Sequence, residues 1–499
     1  MWGGESFANP HGRLVSSLRT KCYLSSDTIH PRIVLATEKG PTKRCGYANG
    51  QKVLGRRQRQ WQWGASFKRV CIDNTTRSDC TLVKVDSVNK PGILLEVVQV
   101  LSDLDLPISK AYITSDGTWF MDVFHVTDQQ GRKITDKKTI DYIEKALGPE
   151  GIKAKSSPGK SVGVHSFGSH VAIELIGTDR PGLLSEIFAV LANQHCNVVA
   201  AEVWTHKTRV ACVIYINDEV STQPMTDPNC MSAMEEQLRN VLRGGNDLKG
   251  ARTNFSVGST HVDRRLHQLM LADKDYESDD GVIDEKDGML FKPIITVDNC
   301  EDKGYSVVNI KCKDRTKLLF DIVCTLTDMQ FVVSHASVSS DGTYGLQELY
   351  IRHKDGKTLD SMEEKENVIK CLEAAILRRV SEGFGLEICA KDRVGLLSDV
   401  TRVLREYGLS VSRADVTTIG EKAMNVFYVR DPSGNPVDMK TIEALRKEIG
   451  QTMMLNVRKL PSATKSPEAS GWAKTSFSFG NLLGKFLSLS GRQDLPPVV

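Results

Sequence analysis

DRPGLLSEI occupies residues 179–187 and DRVGLLSDV residues 392–400. Two altered versions, NKPGILLEV at 89–97 and DRTKLLFDI at 314–322, bring the copies to four. Each follows a short apolar run: TLVKVDSV, HVAIELIGT, YSVVNIKCK or FGLEICAK. Each also opens a segment with apolar residues at helical spacing. These are Leu94, Val97, Val98 and Leu101 in copy one, and Leu184, Ile187, Phe188 and Leu191 in copy two. They are Leu319, Ile322, Val323 and Leu326 in copy three, and Leu397, Val400 and Leu404 in copy four. The spacing predicts four amphipathic helices packed on something flat.

Behind each helix stand two strand patterns joined by a tight turn. Copy one turns at Asp116-Gly117 and copy three at Asp341-Gly342, a dipeptide that tolerates positive φ at both turn positions. Copy two turns near His206-Lys207 and copy four near Ile419-Gly420. Second helices are expected at about 136–147, 231–243, 362–380 and 439–449.

Copies one and three align without a gap at an offset of 225, and copies two and four at 213, so the chain reads as a duplicated pair, 1-2 and 3-4. Copies two and four end in a late strand candidate, ARTNFSVG at 251–258 and TMMLNVRK at 452–459. Copy three leaves no room for one, but PIITVDNCEDKGYSVVNIK places a strand and turn ahead of its first strand. Copy one has RVCIDNTTRSDCTLVKV at the same place. Copies one and three are therefore expected to carry the sheet's outer strand at the front, a circular permutation that a hairpin can accommodate.

A βαββαβ unit with [DN]-[RK]-x-G-[LI]-L between its first strand and first helix resembles the ACT domain. Four such units without a catalytic domain resemble the plant ACT-domain-repeat (ACR) proteins, over about residues 68–460 and the tail motif SFSFGNLL. Their tandem units are also similar to those of bacterial PII uridylyltransferase. The resemblance implies an α+β chain of four ferredoxin-like ACT domains with antiparallel sheets, arranged as two related pairs. It also implies a non-catalytic regulatory protein that binds amino acids where this turn meets a neighbouring unit and signals to a partner protein, without a cofactor. Homo-oligomers through ACT units are a further implication.

The chemistry of the turn agrees. A glycine at a helix start lets a ligand approach the backbone, and the free N–H groups there suit a carboxylate. By motif position the candidates are Asp179, Arg180, Gly182 and Leu183 in copy two, and Asp392, Arg393, Gly395 and Leu396 in copy four. Asn89, Lys90, Gly92 and Ile93 form a partial version in copy one. Copy three has Lys317 where the glycine belongs and is expected to be non-binding or altered. The same turn can instead serve only to cap and start a helix, with Pro181 near its first position. For Arg180 and Arg393 an ion pair is the plainer role.

Composition sets outer bounds. Of 499 residues 40% are hydrophobic and 25% charged, with a formal net charge of +3, as in an ordinary globular protein of several domains. Residues 1–70 hold thirteen Lys or Arg against three acids, which leaves the remainder mildly acidic and gives no electrostatic case for nucleic acid. The RRM shares the βαββαβ layout, but Trp119 and Phe120 lack its third-strand pattern. Twelve cysteines without paired spacing read as reduced thiols, and eleven scattered histidines offer no metal set. No apolar run reaches transmembrane length, and no nucleotide or hydrolase motif occurs. His125, His335 and His353 read as ordinary strand side chains.

The expected organisation is a disordered basic extension at 1–67, ACT domains at 68–157, 162–258, 292–382 and 383–460, and a flexible tail at 461–499. A helical and acidic linker at 259–291 holds DRRLHQLMLADKD, a helix candidate, before the acidic ESDDGVIDEKDG. The tail carries Phe479, Leu482, Leu483 and Phe486 at helical spacing. An intracellular location is expected, cytoplasm or nucleus, or chloroplast if the extension is a transit peptide. The competing reading is an interaction scaffold whose units no longer bind ligand.

Overall fold

The computed structural model describes residues 69–115, 118–148, 170–221, 223–225, 227–243, 251–257, 261–277, 292–300, 304–380, 384–431, 433, 437–449 and 453–459. The expectations for 1–67, for the acidic stretch at 278–288 and for the tail lie outside these residues.

Copy one comprises β1 (Arg69–Asp73), β2 (Thr81–Val88), α1 (Ile93–Asp103), β3 (Ile108–Ser115), β4 (Trp119–Val126) and α2 (Lys137–Leu147). Copy two follows with β5 (Val171–Thr178), α3 (Leu183–Asn193), β6 (Cys196–His206), β7 (Arg209–Asp218), α4 (Pro228–Leu242) and β8 (Arg252–Val257). A further helix, α5 (Val262–Ala272), precedes copy three, which is β9 (Ile294–Cys300), β10 (Tyr305–Lys313), α6 (Leu318–Asp328), β11 (Phe331–Ser340), β12 (Tyr344–His353) and α7 (Met362–Leu377). Copy four is β13 (Phe384–Lys391), α8 (Leu396–Glu406), β14 (Ser410–Ile419), β15 (Lys422–Arg430), α9 (Met439–Ile449) and β16 (Met454–Lys459).

The strands form two antiparallel eight-stranded sheets, ordered β1-β2-β4-β3-β11-β12-β10-β9 and β16-β13-β15-β14-β6-β7-β5-β8. The front strands β1 and β9 occupy the same outer place in their units that β8 and β16 occupy in theirs, so the permutation is present. Chain-adjacent copies do not share a sheet. The seams are β3 with β11 (Ala336 opposite Ile113) and β6 with β14 (Ala414 opposite Val203), which join one to three and two to four, the copies most alike in sequence.

The predicted apolar stripes are all buried, and each sheet's helical face is one hydrophobic cluster spanning both of its copies. At about 1.5–3 kcal/mol for each fully buried Leu, Ile, Val or Phe, this burial dominates the favourable side of folding. Helices α2, α4 and α7 begin with side-chain caps: Asp136 accepts from Thr139 N–H, Asp227 from Asn229 N–H and Ser361 from Glu364 N–H. The four first helices do not. Their caps are Gly92, Gly182, Lys317 and Gly395, all left-handed with φ of 84°, 84°, 64° and 81° and no side-chain hydrogen bond.

The second faces of the sheets differ. On copy two, that face holds Trp204, Tyr215, Ile176 and Val213, and α5 lies across it through Leu266 and Met270. The helix candidate in the linker is thus a buried strut. Its polar side reaches copy three: His267 Nε2 donates to Asp321 at 2.8 Å, and Arg379 lies 2.8 Å from both Asp321 and Asp263 with its guanidinium over the Trp204 ring. Arg378 pairs with Asp275 at 2.6 Å and donates to His267 Nδ1 at 3.1 Å, which keeps that imidazole neutral, as its burial also favours. On the first sheet the corresponding face leaves Tyr112, Met121, Leu346 and Ile294 exposed.

Candidate functional site

All four motif turns are built alike. The first residue's N–H is held by the hairpin that follows: Asn89 by Thr118 O, Asp179 by Thr208 O, Asp314 by Thr343 O and Asp392 by Glu421 O, at 2.8–2.9 Å. The left-handed residue then starts the helix. Because each unit meets its partner through the strand after that helix, the turns of copies two, three and four lie at the unit's boundary, against the last part of the partner's first helix. Three of these boundaries form clefts.

An open groove at copy four's turn, about 360 Å³ counting the solvent at its mouth, runs between Asp392–Ser398 and the end of α3. Asn197, from copy two, donates from Nδ2 to Asp392 Oδ2 at 3.3 Å across the seam. Leu396 N–H is taken by Arg393 O and Asp399 N–H by Gly395 O, whereas the N–H groups of Leu397 and Ser398 have no acceptor among the described residues. A Cβ placed on Gly395 would meet only Arg393 Nη1, at 3.7 Å. Arg393 itself pairs with Asp399 of its own helix at 2.5 Å. Ala192 of α3 faces this turn, and Ala423 and Asn425 of β15 line the interior. Asn425 is 2% exposed, and neither its Oδ1 nor its Nδ2 has a partner.

Copy two's turn has the same residues and a different neighbour. The position that Ala192 holds opposite copy four is held here by Arg405, whose Cδ would lie 2.5 Å from a Cβ on Gly182. Its aliphatic stem therefore covers the backbone that Gly182 would otherwise expose. Arg180 is taken by Glu186 at 2.8 Å and by the Val241 carbonyl at 3.1 Å. Burial pushes the Asp179 carboxyl up to about 6, against the opposing pull of Arg430 and Arg180. The residues matching Ala423 and Asn425 are Val210 and Cys212, both buried.

Copy one is filled in. Phe120 stands where copy four has Ala423, Asn89 donates to Ser115 Oγ at 3.0 Å, and Lys90 pairs with Glu96 at 3.4 Å. In copy three, Lys317 accepts the left-handed conformation at a cost of about 1–2 kcal/mol, and it lines the cleft. It sits 3.0 Å from Asp263 on the strut and 3.9 Å from Asp105. Burial works against its charge, but Asp263, Asp105 and Glu202 outweigh it and raise its pKa. That cleft, about 420 Å³ counting the solvent at its mouth, is also lined by Ser102, Gly345 and Gln347. So the side chain expected to alter this turn is tied to Asp263, on a helix whose role the sequence did not disclose.

Residues 76–154 match the family profile described as the ACR family N-terminal ACT domain. Residues 171–239 and 385–447 match the ACT domain, and residues 294–383 match an ACR9-like, ACT-like domain. Among curated proteins the chain is 65% identical over 429 residues to ACT domain-containing protein ACR3 of Arabidopsis thaliana, covering 84% of this chain and 94% of the relative. It is 52% identical to ACR4 of the same plant over 422 residues, covering 83% and 92%. Against ACR5 it is 52% identical over 420 residues, covering 83% and 91%. The chain belongs to the ACR family of ACT-domain-repeat proteins.

Within this ACT architecture, the motif residues fall into distinct roles. Gly182, Gly395 and Gly92 shape turns, Arg180 and Arg393 make ion pairs inside their own units, and Leu183 and Leu396 are core. Motif reading missed the residues that each partner unit supplies, Asn197, Ala192 and Arg405, and the third-strand pair beneath each turn. The signal for the latter is a register of triplets: FMD at 120–122, VAC at 210–212, GLQ at 345–347 and AMN at 423–425. Among the described residues, no cluster of His, Cys, Asp or Glu is placed to hold a metal, and no helix is long and apolar enough to cross a membrane. The ten described cysteines are free, with the Cys196 thiol pushed up to about 12 by burial.

Proposed function

We propose that this ACR-family chain is a non-catalytic regulatory protein that binds a free amino acid at the boundary between ACT units and passes the change to a partner protein. Family membership supports the regulatory role, and the copy-four cleft carries the ligand reading. There a glycine turn, two unused helix-start N–H groups and the Asp392 carboxylate meet Asn197 from the neighbouring unit. The N–H groups suit an α-carboxylate and Asp392 suits an α-ammonium, about 1.5–3 kcal/mol for each charge-assisted hydrogen bond. A ligand so placed touches both copies, so it favours whichever seam geometry makes both sets of contacts, and that preference is what a partner would sense.

The experiment is calorimetric titration of the full chain with each of the twenty amino acids, repeated on Gly395→Arg. Heat from at least one amino acid, with the copy-four component lost in the variant, is expected. Absence of heat from all twenty would refute ligand binding and leave the scaffold reading. Heat unchanged by the variant would place the site elsewhere.

A further inference from the structure

We propose that the third-strand residues Asn425 and Gln347 read the side chain of the bound amino acid, and that the copy-three and copy-four clefts both take one bearing a carboxamide. This rests on the reading of the copy-four cleft as an amino-acid site and extends that reading to copy three.

The inner end of each cleft is set by two same-facing residues on the third strand. In copy four they are Ala423 and Asn425, in copy three Gly345 and Gln347. The outer one is small and leaves a passage; a Cβ on Gly345 would already press on Leu318 at 3.0 Å. The inner one lies two strand residues, about 7 Å, deeper. In copies one and two the outer position is Phe120 or Val210, and the passage is filled.

Both inner residues are kept nearly dry without the hydrogen bonds that burial demands. Asn425 is 2% exposed with Oδ1 and Nδ2 both unpartnered, and Gln347 is 4% exposed with Oε1 unpartnered. Buried amides are nearly always satisfied, and an orphaned one destabilises the fold. Asn425, with an empty acceptor and an empty donor, is complemented by a group that offers one donor and one acceptor in the same plane, and Gln347, with an empty acceptor, by the donor of the same group. A primary carboxamide does this with two parallel hydrogen bonds, and swapping the oxygen and nitrogen of Asn425 leaves the argument unchanged. A carboxylate brings no donor and an ammonium no acceptor, while an aliphatic chain leaves both atoms orphaned. In copy three, Ser102 Oγ is also buried and unpartnered at the cleft wall, a second acceptor or donor for the same ligand.

The test is titration of the full-length chain with all twenty amino acids, alongside Asn425→Leu, Gln347→Leu and the double variant. Leucine keeps a branched shape close to that of asparagine, is one heavy atom shorter than glutamine and removes the orphaned amide, so the ligand-free variants should melt no lower than wild type. A melting curve separates this from misfolding. The expected result is tightest binding by asparagine or glutamine with two sites per chain. Each single variant should weaken the carboxamide ligand by about tenfold or more at its own site, and the double variant at both. Tightest binding by an aliphatic, hydroxyl or charged amino acid would overturn the proposal, as would unchanged selectivity in the double variant. If Gly395→Arg abolishes copy-four binding while Asn425→Leu leaves selectivity intact, only the side-chain assignment fails. If no amino acid binds, the reading of the clefts fails with it.

Discussion

Copies two and four carry nearly the same phrase, and their turns superimpose in kind: the same left-handed glycine, the same anchoring of the aspartate N–H, the same arginine paired to an acid six residues on. They differ in what the neighbour sets opposite. Ala192 leaves Gly395 accessible, and Arg405 lies on Gly182. A motif therefore supplies a possible site, and a residue more than 200 positions away decides whether it stays open.

The contrast can be broken most strongly at the glycines. Gly395→Arg should weaken binding at the copy-four cleft by about 3 kcal/mol or more, a hundredfold or beyond, because the side chain enters the ligand's space. Gly182→Arg should leave that affinity within about threefold; both variants lose stability through positive φ, and Gly182→Arg should melt the lower of the two because it also collides with Arg405. Calorimetry and thermal melts on the two variants separate these effects.

Asp179 sharpens the comparison through pH. Its folded-state pKa stands above the ordinary carboxylate value, so its favourable contribution is complete below about 3.8 and is lost as pH rises through about 6. Asp179→Asn should then stabilise the protein at pH 7 by about 2–3 kcal/mol, with the gain gone by pH 4. Melting temperature measured across that range checks the sign, and a gain that grows toward acid would contradict it.

Ala192→Arg installs opposite Gly395 the side chain that Gly182 already faces, and should cost the copy-four cleft about tenfold in affinity. The reverse change, Arg405→Ala, should have the smallest effect: an exposed side chain is lost with less than about 1 kcal/mol of stability, and copy two's backbone opens. An added weak site in titration is the expected outcome.

Much of the fold was legible because it follows from periodicity and turn chemistry. The stripes from Leu94 to Leu404 gave helices, and the absence of space after α7 gave the front strand of copy three. What sequence did not show was the joining of copies. Strands β3 and β14 meet their partners by backbone hydrogen bonds at an edge, and nothing in ISKAYITS or SVSRADVTTI names the strand across the seam. The clefts inherit that gap. The turn half of each was readable from DRPGLL and DRVGLL, whereas Asn197, Ala192 and Arg405 acquire meaning only once the seam is known. Lys317 illustrates the same limit, since its side chain is placed by Asp263, on a helix that reads as a linker.

That helix, α5, has a consequence for dissecting the chain. A cut between copies two and three looks harmless on paper, because the stretch lies outside every repeat. Severing before Val262 would strip Trp204, Tyr215 and Ile176 of their cover. Severing after Asp275 would instead part Arg378 from Asp275 and His267, and Arg379 from Asp263, about 3–5 kcal/mol for each broken buried pair. An N-terminal half ending at copy two and a C-terminal half starting at copy three are each fragments with an exposed wound, and the smallest portion of this molecule that retains its own surfaces contains both sheets.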